Sequence, residues 1–71
     1  MGMSRRQFLA LLRTDRTRVS YIPQTGETFK VKPTASFLTP EQRFGVLLGD
    51  NPSLSNESVD YLIAVFEGRG G

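Results

Sequence analysis

Two β-rich runs flank Pro23-Gln24-Thr25-Gly26, so the stretch from Thr17 to Lys32 reads as a hairpin. Proline supplies a fixed φ at the start of the turn, and glycine tolerates a positive φ at its end. A two-stranded hairpin is marginal by itself in water. The rest of the chain reads as helix, so helices must cover the hairpin's apolar face. This dictates an α+β fold: a single small domain in the order helix, hairpin, helix, helix, with the helices packed on one face of the hairpin. A domain over 4–68 is expected, with 1–3 and 69–71 as flexible ends.

The register of the hairpin follows from burial. Collecting Val19, Tyr21, Phe29 and Val31 on one face requires Tyr21 opposite Phe29 and Val19 opposite Val31. That pairing leaves a five-residue loop from Pro23 to Glu27, with Gly26 at a bulge or left-handed position. Arg18, Ser20, Ile22, Thr28, Lys30 and Lys32 then occupy the other face. A four-residue loop would mix apolar and charged side chains on both faces and is disfavoured.

Helix boundaries are written locally. Ser4 with Gln7 forms a capping box and opens a helix over about residues 5–14, whose core side carries Phe8, Leu11 and Leu12 and whose other side carries Arg6 and Arg13. Thr39-Pro40-Glu41-Gln42 combines an N-cap, a first-position proline, an acid in the first turn and a capping-box glutamine. The second helix therefore starts at Pro40, turns Phe44, Leu47 and Leu48 to the core, and stops in Gly49-Asp50-Asn51-Pro52. Ser55 or Asn56 caps the third helix, in which Val59, Leu62, Ile63 and Phe66 recur at helical spacing before Gly68. Between hairpin and second helix, Pro33 leaves the ladder and Phe37 is expected to anchor the connector.

Charge divides the chain. Residues 1–33 carry Arg5, Arg6, Arg13, Arg16, Arg18, Lys30 and Lys32 against Asp15 and Glu27, a net of +5. Residues 34–71 carry Arg43 and Arg69 against Glu41, Asp50, Glu57, Asp60 and Glu67, a net of −3, so the whole chain stands at +2. An anionic partner is expected to meet Arg6, Arg13, Arg16, Arg18, Lys30 and Lys32. In the register above Arg18 faces Lys32, a like-charge pair that a bound anion would relieve. The competing reading is a solvated basic surface, or one neutralised by the acidic third helix. On that helix Asp60, Tyr61 and Glu67 form a candidate protein interface, although Tyr61 is better read as peripheral core than as an exposed aromatic.

Chemistry is sparse. With no Cys and no His, the chain lacks thiol nucleophiles, disulfides, the usual general base and the usual zinc ligands. No glycine-rich phosphate loop or nucleophile elbow is present. Glu57 and Asp60 share a helix face but lie off the apolar stripe and read as solvated carboxylates. Asp50-Asn51-Pro52-Ser53-Leu54 puts Pro52 and Leu54 where a calcium loop needs ligands, so it reads as a turn. No enzyme activity, cofactor or metal is expected.

Other signals fail on spacing. Ser4-Arg5-Arg6-Gln7-Phe8-Leu9 resembles a twin-arginine signal, but the apolar run that follows ends at Arg13. Arg6 stands where a myristoylation motif wants Ser or Thr. Arg69-Gly70-Gly71 is a single unit of what RNA-binding tails repeat, and the connection from Gly49 to Ser55 is too long for a helix-turn-helix. No run approaches the roughly 20 apolar residues of a membrane span, so a cytoplasmic protein is expected.

What remains is a small non-enzymatic adaptor or regulator that binds a protein. The alternative is a small nucleic-acid binder holding phosphates through the basic hairpin and first helix. The small core leaves little stability to spare, which makes a homodimer, or pairing of a hairpin edge with another chain, a third expectation.

Overall fold

The computed structural model describes residues 2–69. Expectations placed on Met1, Gly70 and Gly71 lie outside the described residues. The elements are α1 (Arg5–Leu12), β1 (Arg18–Tyr21), β2 (Thr28–Val31), α2 (Pro40–Asp50) and α3 (Asn56–Phe66). Helices pack against a two-stranded antiparallel hairpin, in the order the sequence implies.

Both capping boxes form. Ser4 Oγ accepts from the Gln7 amide at 3.1 Å while Gln7 Oε1 accepts from the Ser4 amide at 2.9 Å. Thr39 and Gln42 repeat the exchange at 3.2 and 2.9 Å, directly before Pro40. Such reciprocal bonds satisfy amides that no helical carbonyl can reach. Ser55 caps α3, accepting from the Ser58 amide at 3.3 Å. At the other end Gly68 adopts φ +82°, and the Arg69 and Gly68 amides donate back to Ala64 and Val65. These are the paired bonds of a Schellman motif, which needs a left-handed residue where Gly68 stands. Helix α1 is shorter than its periodicity suggests: the amides of Arg13 and Thr14 donate to Ala10 and Leu11, a tighter last turn that ends the helix at Leu12.

The hairpin register differs from the expected one. Tyr21 lies opposite Thr28, Ser20 opposite Phe29, Val19 opposite Lys30 and Arg18 opposite Val31. The Ile22 amide donates to Glu27 O at 2.8 Å, closing the four-residue loop Pro23–Gly26 that burial counting disfavours, with Gly26 at φ +73°. Phe29 and Val31 face inward as expected, but the inward residue of the first run is Ile22, fully buried, while Val19 and Tyr21 are 66% and 60% exposed. Arg18 therefore does not face Lys32.

The reason lies at the rim of the core, where Glu27 is half-buried. Glu27, which this register turns inward, meets the start of α3. Its Oε1 accepts from Ser55 Oγ at 2.7 Å, from the Ser55 amide at 3.1 Å and from Ser58 Oγ. Ser58 Oγ also shares a hydrogen bond of 2.7 Å with Thr25 Oγ1. An inward carboxylate costs little when hydroxyls and a helix N-terminus are waiting for it.

Two further expectations are corrected. The inward stripe of α3 is Ser58, Tyr61, Leu62 and Val65, one residue ahead of the expected stripe, with Val59, Ile63 and Phe66 at its margin. Both stripes obey helical spacing, and the small Ser58 is what lets the loop of the hairpin approach. Phe37 does not anchor the connector, being 83% exposed. Arg43 does so instead. Only 7% exposed, its guanidinium donates through Nε to Leu38 O, through NH1 to Thr34 Oγ1, and through NH2 to Ala35 O and Ser36 O.

Phe8 sits at the centre of the core. It meets Phe29, Phe44 and Phe66 edge to face at 6.5, 5.6 and 6.4 Å, and Phe44 stacks on Phe66 at 4.8 Å. One ring of α1 thus joins β2, α2 and α3 in geometries that aromatic quadrupoles favour.

Candidate protein-interaction surface

The ladder decides which backbone groups remain available. In an antiparallel pair, hydrogen-bonded and non-hydrogen-bonded residue pairs alternate. The Ile22 to Glu27 bond sets the phase, so Lys30 and Thr28 turn their amides and carbonyls away from β1, and Val19 and Tyr21 turn theirs away from β2. Asn51, at the C-terminus of α2, covers β2 at Lys30: its Oδ1 accepts from the Lys30 amide at 2.8 Å and its Nδ2 donates to Lys30 O at 2.8 Å. The same Nδ2 donates to Leu47 O, which holds the amide in place. Among the described residues no such group covers Val19 or Tyr21. The edge of β1 is open, and its exposed face carries two apolar side chains.

Arg18 is part of this strand and Arg16 precedes it in the chain. Arg6, Arg13, Arg16, Arg18, Lys30 and Lys32 are all exposed. Lys30 stands beside Val19 across the hairpin. Arg13 and Arg18 border one concavity of about 510 Å³ between the end of α1 and the start of β1, which Asp15 also lines. Arg6 and Arg13 rim a second groove between α1 and α2, with Leu9, Leu12 and Pro40 in its walls. Arg16 and Lys32 border neither. Arg5 is engaged in the fold, its Nε donating to Phe66 O at 2.7 Å and its guanidinium carbon 5.7 Å from the Phe66 ring centre.

No carboxylate of α3 forms an ion pair with these cations among the described residues. Among the described residues the only ion pair is Arg69 to Glu67, at 2.6 Å. Asp60 and Glu67 are exposed about two turns apart on α3. Tyr61 between them is core, 8% exposed, with its hydroxyl accepting from the Met3 amide at 2.9 Å. The acidic patch therefore lacks the aromatic that an interface there would use.

Glu27 and Arg43, which no sequence pattern singled out, are further charged groups built into the fold. The Ser58 hydroxyl first, then the hydroxyl and amide of Ser55, hold the Glu27 carboxyl below its ordinary value, against a smaller opposing effect of burial. A glutamate just past a hairpin glycine and serines at a helix start are each commonplace; only their meeting is informative. Among the described residues no three potential metal ligands cluster, and no helix is long and apolar enough to cross a membrane. No protein-family model matches the chain, and neither a curated protein nor a solved structure does.

Proposed function

We propose that this protein is a non-enzymatic binding module, an adaptor or regulator, whose hairpin side receives an acidic protein partner. One observation carries the reading: β1 offers an open backbone edge and exposed Val19 and Tyr21 amid cations that no carboxylate of the described chain pairs. Cations alone would serve a nucleic acid equally well. Open amides and carbonyls beside apolar side chains serve a polypeptide, because sheet edges pair with other strands.

The test is a titration of isotope-labelled protein with a polyglutamate peptide and, separately, with a mixed-sequence DNA duplex, at low and moderate salt, read by amide chemical shifts. Polyglutamate should shift β1 and its neighbours. Changing Arg18, Lys30 and Lys32 together to Ala should weaken it about tenfold, since exposed ion pairs contribute about 0.2 to 1 kcal/mol each. Tight duplex binding whose log affinity falls by about 0.9 per phosphate contact with log salt would overturn the reading in favour of nucleic acid.

A further inference from the structure

The two edges of the hairpin are treated differently by the fold. Asn51 caps Lys30 of β2 on both its amide and its carbonyl, the bonds a neighbouring strand would make. Nothing comparable meets Thr28 of β2, or Val19 and Tyr21 of β1, among the described residues, so β2 is closed at Lys30 while β1 is open at both of its outward residues. An open edge is ordinarily blunted by charge, proline or a covering element. Here the proline nearest the edge in sequence is Pro23, after β1 has ended; the open residues Val19 and Tyr21 carry exposed side chains without charge, and the charge on the strand is that of Arg18 at its start.

On the α1 side of this edge lie two concavities, one bordered by Ser20 and Tyr21 and the other by Arg18. Ser20 borders one of about 350 Å³, together with Met3, Gln7 and Tyr61. Arg18 borders the other with Arg13, Leu11 and Asp15. Ser20 and Arg18 are two residues apart on the same strand face, hence about 7 Å apart, the repeat at which an added strand would present its own same-face side chains.

From these observations, and resting on the reading of the hairpin as a protein-binding surface, we infer that the partner binds by strand addition. An extended segment lies antiparallel along β1, seats an apolar side chain beside Ser20 and Met3, and places a carboxylate two residues later against Arg18 and Arg13. Its intervening residues exchange hydrogen bonds with Val19 and Tyr21 and pack on their exposed side chains, as cross-strand neighbours do. Charge selects the occupant. Two arginines against one aspartate make the second concavity cationic, and a second copy of this chain would bring another Arg16 and Arg18 onto the same short edge.

The experiment uses a capped nine-residue peptide with Thr-Ile-Thr-Glu at its centre, and a control with Thr-Ile-Thr-Thr-Glu, which moves the carboxylate to the opposite face. Affinities are measured by fluorescence anisotropy on the full chain, and on synthetic proteins N-methylated at Val19, at Tyr21 or at Ser20. Methylation at Val19 or Tyr21 removes a donor that the ladder does not use and should weaken the first peptide by about fivefold or more, since one net hydrogen bond is lost and the edge is obstructed. Methylation at Ser20, inside the ladder, should instead lower the thermal midpoint. The control peptide should bind at least about tenfold more weakly, as a carboxylate facing away loses a charge-assisted contact.

Equal binding of the two peptides, or indifference to methylation at both Val19 and Tyr21, overturns strand addition. If polyglutamate still shifts the hairpin amides in that case, the protein-binding reading stands; if no acidic peptide binds in either assay, both fall. A concentration-dependent doubling of mass that methylation at Tyr21 abolishes would place a second copy on the edge and overturn the proposed occupant.

Discussion

Replacing Arg43 by methionine keeps the aliphatic stem of a buried side chain and deletes four hydrogen bonds, to Leu38 O, Thr34 Oγ1, Ala35 O and Ser36 O, of 2.8 to 3.2 Å. Each bond from a charged donor is worth about 1.5 to 3 kcal/mol taken singly. A plain sum over four would rival the whole stability of a 71-residue domain, about 4 to 11 kcal/mol. Two effects reduce it. Ala35 and Ser36 are exposed, so water takes over their carbonyls, and deleting the cation also removes the cost of burying it without a carboxylate. What survives is the loss at the half-buried Thr34 and Leu38, about 2 to 3 kcal/mol. Urea denaturation followed by circular dichroism should show a lower midpoint with an unchanged slope, and the thermal midpoint should fall by about 10 to 20 °C. Arg43→Lys should recover less than half, because one ammonium cannot reach four acceptors spread over a loop. In the methionine background, Thr34→Val should cost almost nothing further. A methionine variant within about 0.5 kcal/mol of the parent, or full recovery by lysine, would refute the account of Arg43 as the clamp of the connector.

The observed register makes opposite demands on neighbouring residues. Ile22→Ala should cost about 2 to 4 kcal/mol, the range for emptying a buried aliphatic site, whereas Val19→Ala and Tyr21→Ala should each stay within about 0.5 kcal/mol; the expected five-residue loop would reverse that ranking, so one set of denaturation curves decides. Glu27 sets a pH dependence. Its folded pKa is depressed, so its contribution is fully present above the ordinary glutamate value of 4.5 and is lost as pH falls from there through the lowered folded value. Melting curves across that acid window should be flatter for Glu27→Gln than for the parent, and parallel curves would show that the serines of α3 do not stabilise the carboxylate.

Local chemistry accounts for what was legible in the sequence. Ser4 and Gln7, Thr39 to Gln42, and Gly68 mark helix ends because a cap is completed within a few residues, whatever the rest of the chain does. The α+β order followed from the same locality, together with the need of a hairpin for cover. The cationic side chains of the candidate surface were legible too, since exposed charge needs no partner and Arg6, Arg13, Arg16, Arg18, Lys30 and Lys32 are exposed as charge normally is.

Register, the α3 stripe and the anchor of the connector were decided elsewhere. Counting apolar residues treats Glu27 as a surface group and Arg43 as a helix face, because a sequence pattern cannot include acceptors and donors that arrive from distant segments. Ser55 and Ser58 turned Glu27 inward and took Ile22 with it, leaving Val19 and Tyr21 outside. Asn51 then closed the β2 edge at Lys30 and left Val19 and Tyr21 of β1 open. The capped helix starts and the Gly68 stop are thus a property of the sequence alone, while the candidate interface exists because tertiary hydrogen bonds, each indifferent to hydrophobic count, outweighed the exposure of two apolar side chains.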